Sequence, residues 1–306
     1  MVKSAIKSVL KKFIRRNESW AIGIYEADSN FNFKPAPNVK NPVIAAKQIT
    51  DVKAEFVADP FMLYENGVWH MFFEVLDATD NLGDIALATS LDGIKWNYQK
   101  VVLEEPFHLS YPYVFKWEND YYMIPETYQS REVRLYKATH FPEQWSLEKI
   151  LLKDSDYVDA SIVHFNGRWW IFSSTTANDI LRLHHADSLL GEWTEHPSSP
   201  LITNNPHLAR PAGRVVNLNN KLIRFAQDDQ PTYGLQVYGF EITDLTPHSY
   251  AERALLGGKA IVEPSGSGWN SVGMHHIDLH EVNSNQWIAC VDAKGRPTIR
   301  AFGLVI

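Results

Sequence analysis

The chain has 306 residues, is 45% hydrophobic and carries a formal net charge of −7, a size and composition that fit one large globular domain. Its single cysteine, Cys290, excludes disulfides within the chain and any cysteine-based zinc site, and its apolar setting reads as a small buried hydrophobe. No apolar run reaches the length of a membrane span.

Val2, Ile6, Val9, Leu10 and Phe13 recur at helical spacing, with Lys3, Lys7, Lys11, Lys12, Arg15 and Arg16 on the other faces. This predicts a basic amphipathic helix over residues 1–17, ahead of a domain over 18–306. Six of the 29 basic residues lie there, which leaves 23 basic against 36 acidic residues, or −13, for the rest. Such a helix suits an anionic membrane surface, contacted through residues 2–16, or the outer face of the domain itself. The acidic remainder argues against nucleic acid as a partner. The segment lacks the continuous apolar core of a secretory signal, so the chain is expected in the cytoplasm, peripheral to the inner membrane face.

From Asp59 onward one short phrase recurs about every fifty residues, a period typical of β-propellers. Its copies begin at Asp59-Pro60-Phe61, Tyr111-Pro112-Tyr113, Asp159-Ala160-Ser161, Arg210-Pro211-Ala212 and His275-His276-Ile277. Each opens a unit of an apolar strand, a turn, an aromatic strand and a third strand. In unit one, Met62-Leu63-Tyr64 and Val68-Trp69-His70 flank Asn66-Gly67, a hairpin signal that unit three repeats with Asn166-Gly167. Unit four places Asn219-Asn220 at that turn. Trp96, Trp145 and Trp193 close the first three units and read as inter-blade packing. The fifth unit runs short, and Trp20–Ala27 resembles the third strand of the others. An all-β, five-bladed propeller whose last blade is completed by the N-terminal segment accounts for both observations and removes an exposed sheet edge.

In a propeller the first strand of each blade lines the central axis. The recurrence therefore brings Asp59, Tyr111, Asp159, Arg210, His275 and His276 to one funnel. Breaking or making a glycosidic bond needs carboxyl groups, one to protonate the leaving oxygen and another as base or nucleophile. Asp59 and Asp159 occupy equivalent positions two blades apart. Glu126, ending Met123-Ile124-Pro125-Glu126, is a third acid, and Glu74 is its equivalent in unit one. Arg210 and the paired histidines add charge that can hold carboxylates ionised or bind an acidic group. His108 leads into the axial strand of blade two, and Gln227-Asp228 follows the second strand of blade four as a group for sugar hydroxyls. An Asp before Pro also commonly caps a turn, and Glu74 and Glu126 can equally be paired structural charges. None of the twelve histidines stands in a metal-binding helix motif, so neither metal nor cofactor is expected.

Val57-Ala58-Asp59-Pro60-Phe61, the Asp92-Gly93…Trp96 ending and Asp159-Ala160-Ser161 resemble the five-bladed propellers of glycoside hydrolase family 43. That resemblance implies a base role for Asp59 and, for Asp159, tuning of the acid and orientation of substrate. The family takes its general acid from a glutamate on a later axial strand, where this chain has Ala209-Arg210-Pro211-Ala212, so Glu126 or another acid would have to substitute. A closer resemblance, over most of residues 55–250, is to the N-terminal propeller of plant glucosamine inositolphosphorylceramide transferases. It rests on residues 106–115, Met123-Ile124-Pro125-Glu126, Ala209–Gly213 and Arg224–Asp228. In those plant proteins sugar transfer is ascribed to a separate C-terminal domain. The resemblance implies a sugar, glycan or sugar-nucleotide ligand in surface polysaccharide or glycolipid metabolism. Two functions fit: an enzyme acting on a glycosidic bond with Asp59, Asp159 and Glu126, or a non-catalytic carbohydrate-binding propeller that assists a glycosyltransferase.

Overall fold

The computed structural model describes residues 15–17, 20–218, 221–283, 286–296, 298–301 and 304–305. Five four-stranded antiparallel sheets follow one another along the chain. Blade one is built from Ala54–Glu65, Val68–Asp77, Gly83–Ser90 and Asn97–Leu103. Blade two comprises Ser110–Trp117, Asp120–Glu126, Glu132–His140 and Gln144–Lys153, and blade three Tyr157–Phe165, Arg168–Thr175, Arg182–Ala186 and Thr194–Glu195. Blade four holds Val216–Leu218, Lys221–Asp228, Gln236–Leu245 and Tyr250–Ala254.

Blade five joins the two ends of the domain. Ile277–Asn283 and Gln286–Lys294 supply its inner strands, and Trp20–Ala27 and Lys34–Pro35 complete it. Trp20 pairs with Lys294 and Ala27 with Trp287, an eight-residue ladder that closes the ring as the sequence predicted. Of the predicted N-terminal helix, residues 1–14 lie outside the described residues. Arg15–Asn17 correct the remainder: they form a strand whose backbone groups pair with Thr298–Ala301. The Asn219-Asn220 turn also lies outside the described residues.

The core sits between blades. Phe61, Phe72 and Leu87 of blade one pack with Val114, Met123 and Leu135 of blade two, and Ile22, Ile24 and Cys290 of blade five meet Val57, Met71 and Phe73 of blade one. Trp145 crosses edge-on to Phe72 with ring centroids 5.5 Å apart, the inter-blade role expected of it. The indole N–H groups of Trp96, Trp145 and Trp193 donate to the carbonyls of Gly93, Pro142 and Leu189, so the three tryptophans repeat as one motif. Cys290 is fully buried, and its thiol donates to the Pro60 carbonyl.

The recurring phrase has a backbone cause. Asp59, Tyr111 and Asp159 all adopt left-handed φ, at 53°, 46° and 50°. Each sits in a register shift of its inner strand, between Ala58 and Phe61, Ser110 and Tyr113, and Val158 and Ser161. These are bulges in which one extra residue re-aims the side chain, and non-glycine residues hold this conformation only where the surroundings impose it. Blades four and five depart from the pattern. Arg210 and His275 precede their regular strands, which begin only at Val216 and Ile277, and Pro211, without an N–H, makes a single bridge to Ala226.

The axis is plugged beneath the cleft. Gly213 donates its N–H to the Tyr111 hydroxyl at 2.5 Å, and that hydroxyl lies 2.8 Å from Ser161 Oγ. Arg214 pairs with Asp278 at 2.7 Å and donates to the Val114 carbonyl, while Asp278 accepts the Met62 N–H. Gly213 has φ +132° and runs beside Ile277, where a Cβ would lie 1.8 Å from the Ile277 oxygen. Gly213→Ala is therefore expected to lose roughly 2–3 kcal/mol of unfolding free energy by overpacking. Gly167→Ala, in a hairpin turn at φ +74° with open space around it, adds no clash and should lose only the left-handed backbone strain of about 1–2 kcal/mol. Urea unfolding of both variants checks the contrast, and equal losses would show that the axis is not tightly packed there.

Candidate active site

Above the plug, a cleft of about 220 Å³ is lined by Asp59, Glu74, His108, Glu126, Arg210 and His275, with Trp20, Tyr233, Phe56, Ala58 and Ser110 completing its wall. This is below the roughly 300–1,000 Å³ of pockets for drug-sized ligands, so it has room for about one sugar ring. The positioning follows from the sheet. Glu74 and Glu126 stand opposite Ala58 and Ser110, the residues just before the bulges, so each second strand brings its carboxylate to the cleft beside the bulge.

Arg210 is the hub on one side. Its Nε donates to Asp159 Oδ2 at 2.6 Å, Nη2 reaches Asp159 Oδ1 at 3.2 Å and Glu126 Oε2 at 3.3 Å, and Nη1 donates to Asn178 Oδ1 at 2.9 Å. Gln227 adds a bond from Nε2 to Asp159 Oδ2 at 2.7 Å. Asp159 is thus held by a planar fork and an amide, a charge-assisted arrangement with little freedom. The Asp159 N–H donates to Glu126 Oε2 at 3.3 Å. Burial and the Asp159 charge push Glu126 well above the usual carboxylate range, with Arg210 pulling the other way.

His275 is the hub on the other side. Asp292 is fully buried and accepts from the backbone N–H groups of Asp59, His275 and His276 and from His275 Nδ1 at 2.7 Å. The opposite ring nitrogen, Nε2, lies 3.5 Å from Asp59 Oδ1. Burial works against a charged His275, but the Asp292 carboxylate overrides it and raises the imidazole to about 9. The Asp292 carboxyl, although buried, is held below its ordinary range chiefly by His275. Asp59 is pushed up to about 7 by burial, with His275 opposing the shift. Asp59, His275 and Asp292 offer three ligand atoms within 4.8 Å of one another. Asp292 and His275 Nδ1 are committed to each other and to backbone N–H groups, so the trio forms an ion-paired network.

His108 differs from His275. Its Nδ1 accepts the Gly83 N–H at 3.0 Å, leaving Nε2 to face Glu74 Oε1 at 3.4 Å. Burial, helped by Arg210, lowers this imidazole to about 4. Gly83 is needed for the approach, because a Cβ there would lie 2.3 Å from the Leu109 carbonyl oxygen. Glu74 rises well above its ordinary range through burial and then the Asp59 charge.

Of the residues expected from sequence, Asp59, Glu74, His108, Glu126, Arg210 and His275 line the cleft, with Asp159 and Gln227 directly behind Arg210. Tyr111, His276 and Asp228 lie elsewhere. Tyr111 belongs to the plug, His276 Nε2 bonds to the Pro60 carbonyl, and Asp228 accepts from His207 and Gln236 in a neighbouring loop. Sequence reading missed Asp292, Trp20 and Tyr233. Asp292 lies one residue beyond Val291, the partner of Ile277, whereas Glu74 and Glu126 lie two beyond the partners of Phe61 and Tyr113, so the repeat did not mark it. Trp20 stacks 4.1 Å from the His275 ring, and Tyr233 covers Arg210 at 5.4 Å and remains 39% exposed. Tyr233 lies in the link between the second and third strands of blade four, residues 229–235, whose sequence does not repeat in the corresponding links of the other units.

Similarity to known proteins agrees with this architecture. The chain is 36% identical to glucosamine inositolphosphorylceramide transferase 1 of Oryza sativa subsp. indica and 32% identical to that of Arabidopsis thaliana, over 92% and 90% of its own length. It spans only about 40% of the length of those relatives. Among solved structures, a glycosyl hydrolase from Bacteroides ovatus matches with a TM-score of 0.59 at 11% identity, covering 86% of this chain and 95% of that one. A family 117 glycoside hydrolase from Zobellia galactanivorans matches with a TM-score of 0.52 at 18% identity, over 77% and 84% of the two chains. At these identities the structures establish a shared fold alone. Residues 15–294 match the family described as glucosamine inositolphosphorylceramide transferase 1, N-terminal, and the chain belongs to that family.

Proposed function

We propose that the axial cleft binds one sugar ring and makes or breaks a glycosidic bond in polysaccharide or glycolipid metabolism, with Asp59 as the base. The observation that carries this reading is the convergence of three buried carboxyl groups, Asp59, Glu74 and Glu126, on one sugar-sized cleft whose wall includes Trp20 and Tyr233. A carboxylate that takes a proton and a carboxylic acid that gives one are the minimum equipment for this chemistry. The names of the plant relatives, which join glucosamine, inositolphosphorylceramide and transferase, support a glycolipid setting.

Turnover is tested with a panel of aryl glycosides and of nucleotide sugars plus an alcohol acceptor. Asp59→Asn is expected to lower kcat about a hundredfold or more while circular dichroism stays unchanged. Full activity in that variant would refute the role of Asp59. One observation favours a second reading, a non-catalytic sugar-binding propeller. Arg210 occupies the axial position of blade four and holds both Asp159 and Glu126. Calorimetric binding of a sugar without turnover of any donor would select that reading.

A further inference from the structure

The three cleft carboxyls have different partners. Asp59 faces His275, which Asp292 holds through a 2.7 Å bond. Glu126 Oε2 accepts from Arg210 Nη2 and from the Asp159 N–H, each at 3.3 Å. Among the described residues, no lysine or arginine comes within ion-pair distance of Glu74. Its neighbour is His108, 3.4 Å away. The Gly83 N–H points at His108 Nδ1, so that nitrogen must carry the lone pair. A neutral His108 then faces Glu74 with Nε2 at 3.4 Å and brings no charge to hold a carboxylate.

We propose that Glu74 is the proton donor of the reaction and Asp59 its base, the two roles divided by the histidine that each carboxyl faces. This rests on the glycosidic reading above and supplies the acid that Arg210 displaces from blade four. Charged groups around each carboxyl agree with the division. Glu74 is surrounded by Asp59, Glu126, Asp292 and Asp159, all of which favour its protonated form. Asp59 has the same acidic company in Asp292 and Asp159, but His275 and Arg210 favour its ionised form. Paired acids whose surroundings push their proton affinities apart are the usual basis for separate acid and base roles.

In the step itself, Glu74 passes its proton to the glycosidic oxygen as the bond from the anomeric carbon to that oxygen breaks and leaves its electron pair on oxygen. Asp59 takes a proton from the incoming hydroxyl, of water or of an acceptor alcohol, whose oxygen pair forms the new bond to the anomeric carbon. Glu74 ends as a carboxylate and Asp59 as a carboxylic acid, and exchange with solvent resets both.

Two measurements test this assignment. Infrared difference spectra between the wild type and Glu74→Gln at about pH 7 are expected to show loss of the carbonyl stretch of a neutral carboxylic acid. Loss of carboxylate bands instead would overturn the donor role, whatever reaction the protein performs. The second measurement compares phenyl and 2,4-dinitrophenyl glycosides of one sugar. Glu74→Gln is expected to slow the phenyl glycoside about 10²–10⁴-fold and the dinitrophenyl glycoside less than about tenfold, because a good leaving group needs no proton. The same discrimination in Glu126→Gln but not in Glu74→Gln would move the acid to Glu126 and overturn the proposal. Absence of turnover with every donor in the wild type sinks the glycosidic reading and the donor role together, whereas a carboxylate signature for Glu74 sinks the donor role alone.

Discussion

Arg210→Met is expected to lower the unfolding free energy at about pH 7 by about 3–5 kcal/mol, the usual cost of stranding one side of a buried ion pair. The arginine is only 11% exposed at its side chain, and the carboxylates it serves, Asp159 and Glu126, are more buried still. Methionine keeps much of the aliphatic stem but leaves both carboxyls without their fork of donors. The proton affinity of Glu126, which Arg210 lowers in the wild type, must then rise further. A carboxyl whose folded affinity rises above its unfolded value costs stability as pH increases through that interval, so the deficit relative to wild type should be largest near neutrality. It should shrink as pH falls toward the ordinary carboxylate range of about 4. Adding Asp159→Asn to Arg210→Met should recover more than half of the loss, a coupling that a double-mutant cycle measures directly. A loss below about 1 kcal/mol that adds simply with the Asp159→Asn effect would mean that Arg210 is a solvated rim cation.

Asp292→Asn should have a comparable effect with the opposite diagnostic pH window. In the wild type, His275 is raised from an ordinary 6.5 to about 9, so the folded state binds that proton more tightly than the unfolded chain. The resulting stabilisation is fully present below about pH 6.5 and is lost as pH rises through about 9. A shift of this size corresponds to about 3 kcal/mol. With asparagine at 292, burial acts on His275 without an adjacent carboxylate to oppose it, and the imidazole stays neutral. Urea unfolding between about pH 6 and 9 should show falling stability in the wild type, and a flat or shallower profile in the variant. The Asp59 titration, raised to about 7, loses stability mostly below this window and so does not mimic the effect. Parallel profiles for the two proteins would mean that His275 is not charged in the folded state. Because His275 lies against Asp59, the same variant should also weaken the base proposed for the reaction.

The fivefold architecture was legible because propellers write their period into the chain. Asn66-Gly67 and Asn166-Gly167 mark equivalent hairpins, and the closing tryptophans recur with the same carbonyl bond. The ring closure by Trp20–Ala27 was readable for a related reason: a blade short by one strand leaves an unpaired edge that some segment must cover. The site was legible only in part. Equivalence in sequence placed Asp59, Glu74 and Glu126 at one cleft, whereas Asp292 stands one position out of that register and was not marked by it. Tyr111 shares the bulge of Asp59 and Asp159, yet its longer side chain reaches the hydroxyl and backbone partners of the plug.

By itself, then, the sequence determined the repeat, the number of blades, the closing strand and the set of residues at the axial strand ends, because each is carried by local pattern and period. Only the tertiary structure decided which charges meet: Arg210 with Asp159 and Glu126, His275 with Asp292 and Asp59, and a neutral His108 with Glu74. Those pairings join residues up to 216 positions apart, His275 with Asp59. They depend on ångström-scale approach within a low-dielectric cleft, where burial and the nearest charge set the protonation state of each group, and neither is written in the spacing of residues along the chain.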